Sequence, residues 1–266
     1  RGTAEQPAQP AETQEASQAA AAEEHEVAPE LKPYLDKQIT KIIIADNKEI
    51  KTEDIAAAVI SKPGVKLTEE VLARDLQSIY SMGWFYDLRP TFQTVPEGVE
   101  VTYHVLENPK FTGYRIDGNT KISTQDIEKM MALQPDQMIN IREVTEKIQQ
   151  VEAEYKKQGY ILARVTDLRV LPDGTLYIQI NEGKVEDFKV KGNVKTKDYV
   201  ILREIRLKKG EPFNTNLARR SMQRIYNLGF FEDVNVRLNP GSDPNSEEVG
   251  ITVVVANRGS FGICAG

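Results

Sequence analysis

The strongest constraint on this chain is that one pattern of residues occurs three times along it. Each copy has an alternating apolar segment, two helix-like stretches, a glycine with an aromatic residue, and two further alternating segments. The first anchor is the asparagine after the opening segment, found at Asn47, Asn119 and Asn193. The second anchor is the glycine before the aromatic residue, found at Gly83, Gly159 and Gly229. Both anchors recur at spacings of 70 to 76 residues, which exceed solenoid periods and suffice for a small domain with its own core.

The second copy predicts the order strand, helix, helix, strand, strand. Ser123 is a candidate N-cap of the first helix, and Asn140 begins a longer helix with one apolar face. That face consists of Val144, Ile148, Val151 and Tyr155. Gly159 supplies a left-handed residue after the helix, and Asp173-Gly174 predicts a hairpin turn between the last two strands. We therefore expect three small domains that each combine helices and strands.

The first and third copies predict the same elements at corresponding positions. In the first copy, Thr52 and Thr68 begin the two helices; in the third, Thr196 and either Asn214 or Thr215 are the N-caps. The expected inner helix faces are Leu72, Leu76, Ile79 and Tyr80 in the first copy, and Leu217, Met222, Ile225 and Tyr226 in the third. The third hairpin is expected to consist of strands 233–238 and 249–255 and the loop 239–248, the longest of the three.

Residues 1–32 have a different composition, dominated by Ala, Glu, Gln, Pro, Ser and Thr. They hold seven Glu against Arg1 and Lys32, so they carry −5 of the chain's net charge of −6. A segment with so few apolar residues cannot bury enough surface to offset the entropy lost on ordering. We therefore expect an acidic, flexible tail that acts as a solvated spacer.

The two ends of the sequence suggest a processed or truncated chain. It begins with Arg1 and not with Met, and neither a signal peptide nor a membrane-spanning apolar run is recognisable. Residues 257–266 begin a new Gly-rich alternating pattern. This pattern predicts that a β-rich region continues after Gly266. The single cysteine, Cys264, excludes an internal disulfide.

Catalytic and metal-binding signatures are absent from the sequence. His25 lies in the acidic tail and His104 lies in an alternating strand segment, and neither belongs to a cluster of histidine, cysteine and carboxylate residues. No G-x-S-x-G, P-loop or G-x-G-x-x-G motif occurs. We therefore expect neither an enzyme nor a site for a metal or a cofactor.

The repeat resembles the POTRA domain, the polypeptide-transport-associated module, in its β-α-α-β-β order, its Gly-Asn turn (Gly118-Asn119, Gly192-Asn193) and its Gly-aromatic pair. Three copies followed by a Gly-rich strand resemble the periplasmic part of a BamA-type outer-membrane β-barrel assembly protein. The resemblance extends over residues 33–257, and the first copy departs from it at Asp46, where the others have glycine, and at Ile43, where they have a basic residue. Three domains suggest the shorter form of photosynthetic lineages, including plastid protein-import relatives. A two-partner secretion transporter is similar but usually carries two domains.

The resemblance implies an α+β architecture of three tandem POTRA domains, each a three-stranded mixed sheet covered on one face by two helices. The implied domains are residues 33–107, 108–182 and 183–256, preceded by the tail 1–32 and followed by the start of a C-terminal β-barrel at 257–266. It also implies a location in the periplasm, or on the intermembrane-space side, as part of an outer-membrane protein. The implied partners are unfolded outer-membrane β-barrel proteins, other assembly-machine proteins and the chain's own membrane barrel.

In such domains the first strand of the hairpin lies at a sheet edge, where an unfolded client can add a strand through backbone hydrogen bonds. Pro90 in the first copy and Arg164 and Arg169 in the second discourage such pairing. We therefore expect the client or partner edge in the third copy. It consists of Asp233, Val234, Asn235, Val236, Arg237 and Leu238. The alternative is a rigid docking scaffold for partner proteins that does not bind clients.

The third copy is strongly polarised in charge, with basic residues before residue 225 and acidic residues after it. The candidate residues for an anionic partner are Lys208, Lys209, Arg219, Arg220 and Arg224. Aromatic residues that could stack on bases are not interleaved with them, so we expect no nucleic-acid partner. These residues are compatible with three kinds of partner: anionic lipid headgroups, barrel turns or another acidic protein surface. They are equally compatible with a solvated face that has no partner.

Overall fold

The computed structural model describes residues 30–256. Within this range the chain forms three sheets of three strands each, and a pair of helices accompanies each sheet. These elements confirm the α+β class and the repeated β-α-α-β-β order. The acidic tail up to residue 29 and the strand expected at 257–266 lie outside the described residues.

The first repeat starts earlier than its composition suggests. Its elements are β1 (Ile39–Ala45), α1 (Thr52–Ala58), α2 (Glu69–Tyr80), β2 (Phe85–Val95) and β3 (Gly98–Glu107). A short 3₁₀ turn at Lys32–Tyr34 precedes them, the Leu31 side chain is buried, and the Tyr34 ring stacks on Phe92 with centroids 5.2 Å apart. Residues 30–32, which the sequence analysis assigns to the tail, are therefore part of the described structure, and the burial of the Leu31 side chain favours their order.

The second and third repeats contain the same elements in the same order. The second has β4 (Gly113–Asp117), α3 (Thr124–Met131), α4 (Ile141–Lys157), β5 (Arg164–Val170) and β6 (Thr175–Asn181). The third has β7 (Lys184–Lys191), α5 (Asp198–Leu202), α6 (Thr215–Tyr226), β8 (Phe231–Pro240) and β9 (Ser246–Val255). The predicted N-caps Thr68, Ser123, Asn140 and Asn214 all accept hydrogen bonds from the first turn of their helices.

The last strand of each repeat lies at the centre of its sheet. The strand orders are β1-β3-β2, β4-β6-β5 and β7-β9-β8. In the second and third sheets the first strand runs parallel to the central one, because a helix pair connects them, and the hairpin partner runs antiparallel. The first strand of every hairpin, β2, β5 or β8, is therefore an edge strand, as expected.

The core of the second repeat shows how the helices cover one sheet face. The predicted apolar stripe of α4 is buried in full, and it packs in one cluster with alternate residues of β6. These β6 residues are Leu176, Ile178 and Ile180. Their neighbours Thr175, Tyr177 and Gln179 point to the other face and remain half-exposed. One face of each strand therefore supplies the apolar burial that drives folding.

The inner faces of α2 and α6 differ from the prediction at two tyrosines. Tyr80 and Tyr226 were expected in the core, yet their side chains are 40% and 52% exposed. Polar residues take part in these faces instead, because Asp75 and Ser221 are buried seven residues after the two N-caps. The helical period is therefore as predicted, but the buried face of each helix includes Asp75 or Ser221 and leaves out Tyr80 or Tyr226.

Asp75 and Ser221 are buried because each binds the backbone between the two helices of its repeat. The Asp75 carboxylate accepts hydrogen bonds from the Ser61 N–H at 2.9 Å and from the Tyr103 hydroxyl at 2.7 Å. Burial raises the pKa of the Tyr103 hydroxyl, and the hydrogen bond to Asp75 adds to that increase. In the third repeat, the Ser221 hydroxyl accepts from the Arg206 N–H at 2.8 Å. Both side chains therefore accept from a backbone N–H in the segment that joins the two helices, and the Ser61 N–H would otherwise be buried without this partner.

Two boundaries in the third repeat also differ from the prediction. The N-cap of α5 is Lys197 and not Thr196, whose carbonyl accepts a hydrogen bond from Asn193. The hairpin is longer than expected, since Pro240 still pairs with Glu247 and the loop is only 241–245. It remains the longest of the three hairpin loops. A proline at an edge strand costs little, because its missing N–H belongs to the unpaired side.

The turn after the first strand is the same in all three repeats. Its asparagine donates through Nδ2 to a carbonyl three residues later, at Asn47, Asn119 and Asn193. Gly118 precedes one of these residues at φ +88, and a Cβ there would lie 1.9 Å from the Ile180 carbonyl oxygen. Asp46 holds the corresponding left-handed conformation at φ 70 in the first repeat. Its carboxylate is hydrogen-bonded to His104 Nδ1 at 2.8 Å. The first repeat therefore has the same turn conformation with an aspartate in the position of the glycine.

The described chain divides into two compact units. One comprises residues 30–81 and 87–106 and holds most of the first sheet, whereas the other comprises residues 82–86 and 107–256 and holds the second and third sheets. Inside the latter unit, β6 ends at Asn181 and β7 begins at Lys184. Gly183 between them has φ +75, and a Cβ there would approach the Leu162 Cβ to 2.4 Å. Only glycine fits this junction without displacing its neighbour.

The junction of the second and third repeats is closed by hydrogen bonds from the start of α6. Thr215 donates its N–H to the Gly159 carbonyl at 2.8 Å, and Asn214 Nδ2 donates to the Gln158 carbonyl at 3.0 Å. Lys121 Nζ of the second repeat also binds Glu211 Oε2 of the third at 2.8 Å. This hydrogen bond raises the pKa of Lys121 and lowers the pKa of Glu211. The second and third repeats are therefore joined by polar side-chain and backbone contacts as well as by the chain itself at Gly183.

Candidate functional site

The six residues predicted as a client edge all lie on β8, the edge strand of the third sheet. Val234, Val236 and Leu238 are partly buried and pack against the core clusters of the third repeat. Asp233, Asn235 and Arg237 alternate with them and are exposed. The strand is therefore anchored by one face, and its outer backbone side is not paired with any described strand.

The direction of the free backbone groups follows from a hydrogen bond at the start of β8. The Val234 N–H donates to the Asp233 carboxylate at 2.9 Å, so this N–H is not part of the ladder with β9. Because N–H directions alternate along an antiparallel strand, the N–H groups of Val236 and Leu238 also point away from β9. The Asp233 carboxylate therefore occupies the first outward N–H group, that of Val234. The next two outward N–H groups are those of Val236 and Leu238.

The other two hairpin edges are less open. β2 has the same aspartate contact as β8, from the Leu88 N–H to the Asp87 carboxylate at 2.9 Å, but it also has Pro90 inside the strand, two residues later. In β5 the Arg164 Nη2 donates to the Pro244 carbonyl at 3.2 Å, which brings the hairpin loop of the third repeat to the start of that edge. Arg169 forms an ion pair with Asp167 at 2.9 Å. These contacts favour β8 as the edge that can accept a further strand.

The basic residues predicted as one anionic-partner patch separate into different surroundings. Arg220 and Arg224 line an open groove of about 430 Å³ on the helix layer, together with Arg206, Leu217 and Gln223. Arg224 Nη2 also binds Glu204 Oε2 at 2.7 Å. Arg206 was missed as a site residue because it precedes α6 by nine residues, and only the fold brings it to the helix.

Lys208, Lys209 and Arg219 do not line this groove. Lys208 lines a smaller cavity of about 140 Å³ at the junction, beside Lys121 of the second repeat. Lys209 Nζ binds Asp187 Oδ1 at 2.7 Å, and this hydrogen bond lowers the pKa of Asp187. Arg219 is exposed and borders neither cavity. The contribution of Lys121 could not be read from the sequence, because it comes from the preceding repeat.

Among the described residues, no helix is long and apolar enough to cross a bilayer. Residues 30–256 also contain no group of three or more His, Cys, Asp or Glu side chains placed to hold a metal ion.

Comparison with known proteins identifies the repeat. The family model described as POTRA, surface antigen variable number repeat, matches residues 38–108, 109–183 and 184–258. The structure is similar to that of POTRA1-3 of the periplasmic domain of Omp85 from Anabaena, with a TM-score of 0.73 and 27% identity over 84% of this chain and 96% of that one.

Two longer proteins are also similar in sequence. Outer envelope protein 80, chloroplastic, from Oryza sativa subsp. japonica is 24% identical over 81% of this chain and 34% of its own length. Outer membrane protein assembly factor BamA from Neisseria meningitidis serogroup B is 22% identical over 76% of this chain and 28% of its own. The chain thus spans about a third of these curated relatives.

Proposed function

The chain belongs to the POTRA family, and on this basis we propose that it is the receptor region of an outer-membrane protein assembly or translocation machine. As POTRA domains of the Omp85 and BamA type, the three repeats form the periplasmic part of an outer-membrane protein. The proposed role is binding and not catalysis. Its proposed partners are unfolded outer-membrane β-barrel proteins, other assembly proteins and a membrane barrel of the same chain.

The proposed mechanism is strand addition at β8. A client segment in extended conformation pairs with the outward backbone groups of Val236 and Leu238, while its side chains lie above and below the third sheet. Because backbone groups are common to all clients, this binding depends little on the client sequence. The observation that supports it is the open outer side of β8 beyond Asp233.

The first prediction tests this edge with a proline. Val236→Pro removes an outward N–H that the sheet does not use, so the fold is retained and affinity for an extended peptide falls about tenfold or more. The measurement is a titration of an unfolded barrel-strand peptide, with circular dichroism as the check of folding. Val236→Ala is the matched control, since it shortens the same side chain but keeps the N–H. Asn235→Ala should change the affinity little.

A second substitution should act in the opposite direction. Asp233→Ala frees the Val234 N–H and adds one outward donor, so the same peptide should bind roughly two- to tenfold more tightly. Equal affinities for the wild type, Val236→Pro and Asp233→Ala would refute strand addition at β8. The chain would then be assigned the role of a rigid scaffold that docks partner proteins, for which the closed junction around Gly183 is the supporting observation.

A further inference from the structure

The face of the second sheet that points away from the core has an aromatic ring between two cations. Tyr177 of the central strand β6 pairs with Arg115 of β4 on one side and with Arg169 of β5 on the other. The guanidinium carbons of these arginines lie 5.3 Å and 4.9 Å from the centroid of the Tyr177 ring. Both distances are within the range of cation–π attraction. The ring therefore fills the middle of this face and attracts a cation from each edge strand.

The same face of the third sheet has two cations but no ring between them. Gly250 of the central strand β9 pairs with Lys189 of β7 and with Arg237 of β8. Its position in the sheet is therefore that of Tyr177 in the second repeat. A cavity of about 200 Å³ is lined by Gly250 and by both cations. Since a cavity of roughly 150 Å³ is large enough for a benzene ring, this cavity can hold an aromatic side chain.

The backbone conformation does not explain why this position is a glycine. Gly250 does not have a positive φ. A Cβ at this residue would meet Asn239 Nδ2 at 3.0 Å, which is the end of an exposed, flexible side chain that can move aside. A glycine inside a strand weakens the strand, and it often marks a place where another molecule approaches closely. Gly250 therefore leaves the middle of the face open at the expense of local stability.

The charges on this face of the third sheet are less balanced than those of the second. In the second repeat, each arginine of the pair forms an ion pair with an aspartate of its own strand, at 3.6 Å and 2.9 Å. The corresponding residues of the third repeat are Lys191 and Asn235. Lys189 binds Glu248 Oε2 at 3.2 Å, whereas Arg237 has no ion-pair partner among residues 30–256. Arg237 is therefore the cation that is most available to the electron-rich face of a ring.

We propose that the cavity at Gly250 binds an aromatic side chain from an extended segment of a partner protein. The ring lies over Gly250 between Lys189 and Arg237, in the position that the Tyr177 ring has in the second sheet. The ligand is assigned as the side chain of an extended polypeptide, because the ring bound at the equivalent position belongs to a strand. The second sheet supplies this ring from its own sequence, and the third sheet takes it from the partner.

Tyrosine is the aromatic residue that suits the cavity best. The Tyr177 hydroxyl donates to Gln179 Oε1 at 2.8 Å. Thr252 occupies the position of Gln179 in the third sheet and lines the cavity, and its hydroxyl is a hydrogen-bond acceptor. A tyrosine of the partner therefore has an acceptor for its hydroxyl, which a phenylalanine does not need.

This site goes beyond strand addition at β8 and does not depend on it. Strand addition uses the outward backbone N–H groups of Val236 and Leu238, whereas the cavity uses side chains on the face of the sheet. Val236→Pro removes an N–H that the cavity does not use. A peptide that binds at Gly250 should therefore bind this variant and the wild type equally, so the two proposals can fail separately.

The test uses the isotope-labelled full chain and a short neutral peptide that has one tyrosine between glycines and is blocked at both ends. A ring that lies over Gly250 shifts the signal of its amide proton upfield. We expect a saturable shift with a dissociation constant in the millimolar range. In one comparison peptide, cyclohexylalanine replaces tyrosine, which keeps an apolar ring but removes its π-electrons; in another, glutamate replaces it. Both should bind at least several times more weakly.

Three outcomes of this titration overturn the proposal. The first is the absence of a saturable shift with the tyrosine peptide. The second is equal binding of the cyclohexylalanine peptide, which would indicate a nonspecific apolar contact. The third is tighter binding of the glutamate peptide, which would assign the cavity to an anion.

Two arginines provide matched variants. Arg237→Gln removes the available cation and should weaken binding of the tyrosine peptide roughly three- to tenfold. Arg219→Gln makes the same change at an exposed residue of α6 outside the cavity and should leave the affinity unchanged. Equal affinities of Arg237→Gln and the wild type, or an equal loss in both variants, overturns the proposal.

A third variant supplies the ring from the chain itself. Gly250→Tyr reproduces the arrangement of the second sheet, so it should retain the fold in circular dichroism and abolish binding of the tyrosine peptide. Undiminished binding by folded Gly250→Tyr overturns the proposal. If this variant is unfolded, the comparison of Arg237→Gln with Arg219→Gln decides alone.

Discussion

The second and third repeats have the same fold, but their corresponding ends differ in what covers them. The end of the second repeat, at Gln158 and Gly159, accepts hydrogen bonds from Asn214 and Thr215 of the next repeat. In the third repeat the β7 and β9 strands end, and β8 begins, at the equivalent position. Large apolar side chains are exposed there: Val194, Tyr199, Tyr226 and Phe230. Within residues 30–256, the same structural end is therefore a closed junction in the second repeat and carries exposed apolar side chains in the third.

The largest difference is expected between two equivalent glycines. Gly159 and Gly229 both follow the second helix and both have positive φ, +97 and +75. A Cβ on Gly159 would lie 2.7 Å from Asn214 Oδ1, whereas a Cβ on Gly229 would meet nothing within 4 Å. Gly229→Ala should therefore cost about 1 kcal/mol of unfolding free energy for the left-handed conformation alone, and Gly159→Ala roughly 2–3 kcal/mol.

Urea unfolding of the two alanine variants measures this difference. Equal costs at the two glycines would contradict the idea that docking of the third repeat, and not the turn itself, makes Gly159 irreplaceable.

Asn214 should have the next largest effect, because it has two partners. Its side chain caps α6 by accepting from the Asn216 and Leu217 N–H groups, and it also donates to the Gln158 carbonyl. Asn214→Ala should cost about 1–2 kcal/mol in urea unfolding. Asn214→Asp keeps the capping oxygen and loses only the donor, so it should recover the capping part. If the aspartate variant is as unstable as the alanine variant, the bond across the junction is the dominant contribution.

The smallest effect is expected from the exposed ion pair at the junction. Lys121 binds Glu211, whereas Lys195, at the same position of the third repeat, has no ion pair among residues 30–256. Lys121 lowers the pKa of Glu211, so the stabilisation is present above the unfolded-state pKa of a glutamate and is lost as pH falls through the lower folded-state pKa. The melting temperature of Lys121→Ala should therefore converge with that of the wild type below about pH 4.

Lys195→Ala is the matched control and should leave melting unchanged between neutral and acidic pH. A pH-independent decrease in melting temperature for Lys121→Ala would show that its alkyl chain, and not its charge, stabilises the junction.

Much of the fold was predictable because its signals are local. The capping residues Ser123 and Asn140 and the stripe of α4 were recognised from spacing alone, since helix neighbours lie three or four residues apart. The errors occurred where packing chose between local alternatives. Tyr80 and Tyr226 continue the apolar periodicity, yet the last helical turn leaves the core and exposes them. The apolar stripe also gave no sign that Asp75 would be buried as a partner of Ser61 and Tyr103.

The sequence by itself determined the threefold repeat, the strand and helix order, and the position of β8 in a hairpin, because each depends on residues close together along the chain. Only the tertiary structure decided which polar groups meet: Arg206 with Arg220 in one groove, Lys121 with Glu211 across the junction, and Lys209 with Asp187 away from both. These pairs join residues up to 90 positions apart. Their proximity results from the packing of sheets and helices. A sequence pattern predicts which helices and strands form, but it does not predict which individual side chains their packing brings together.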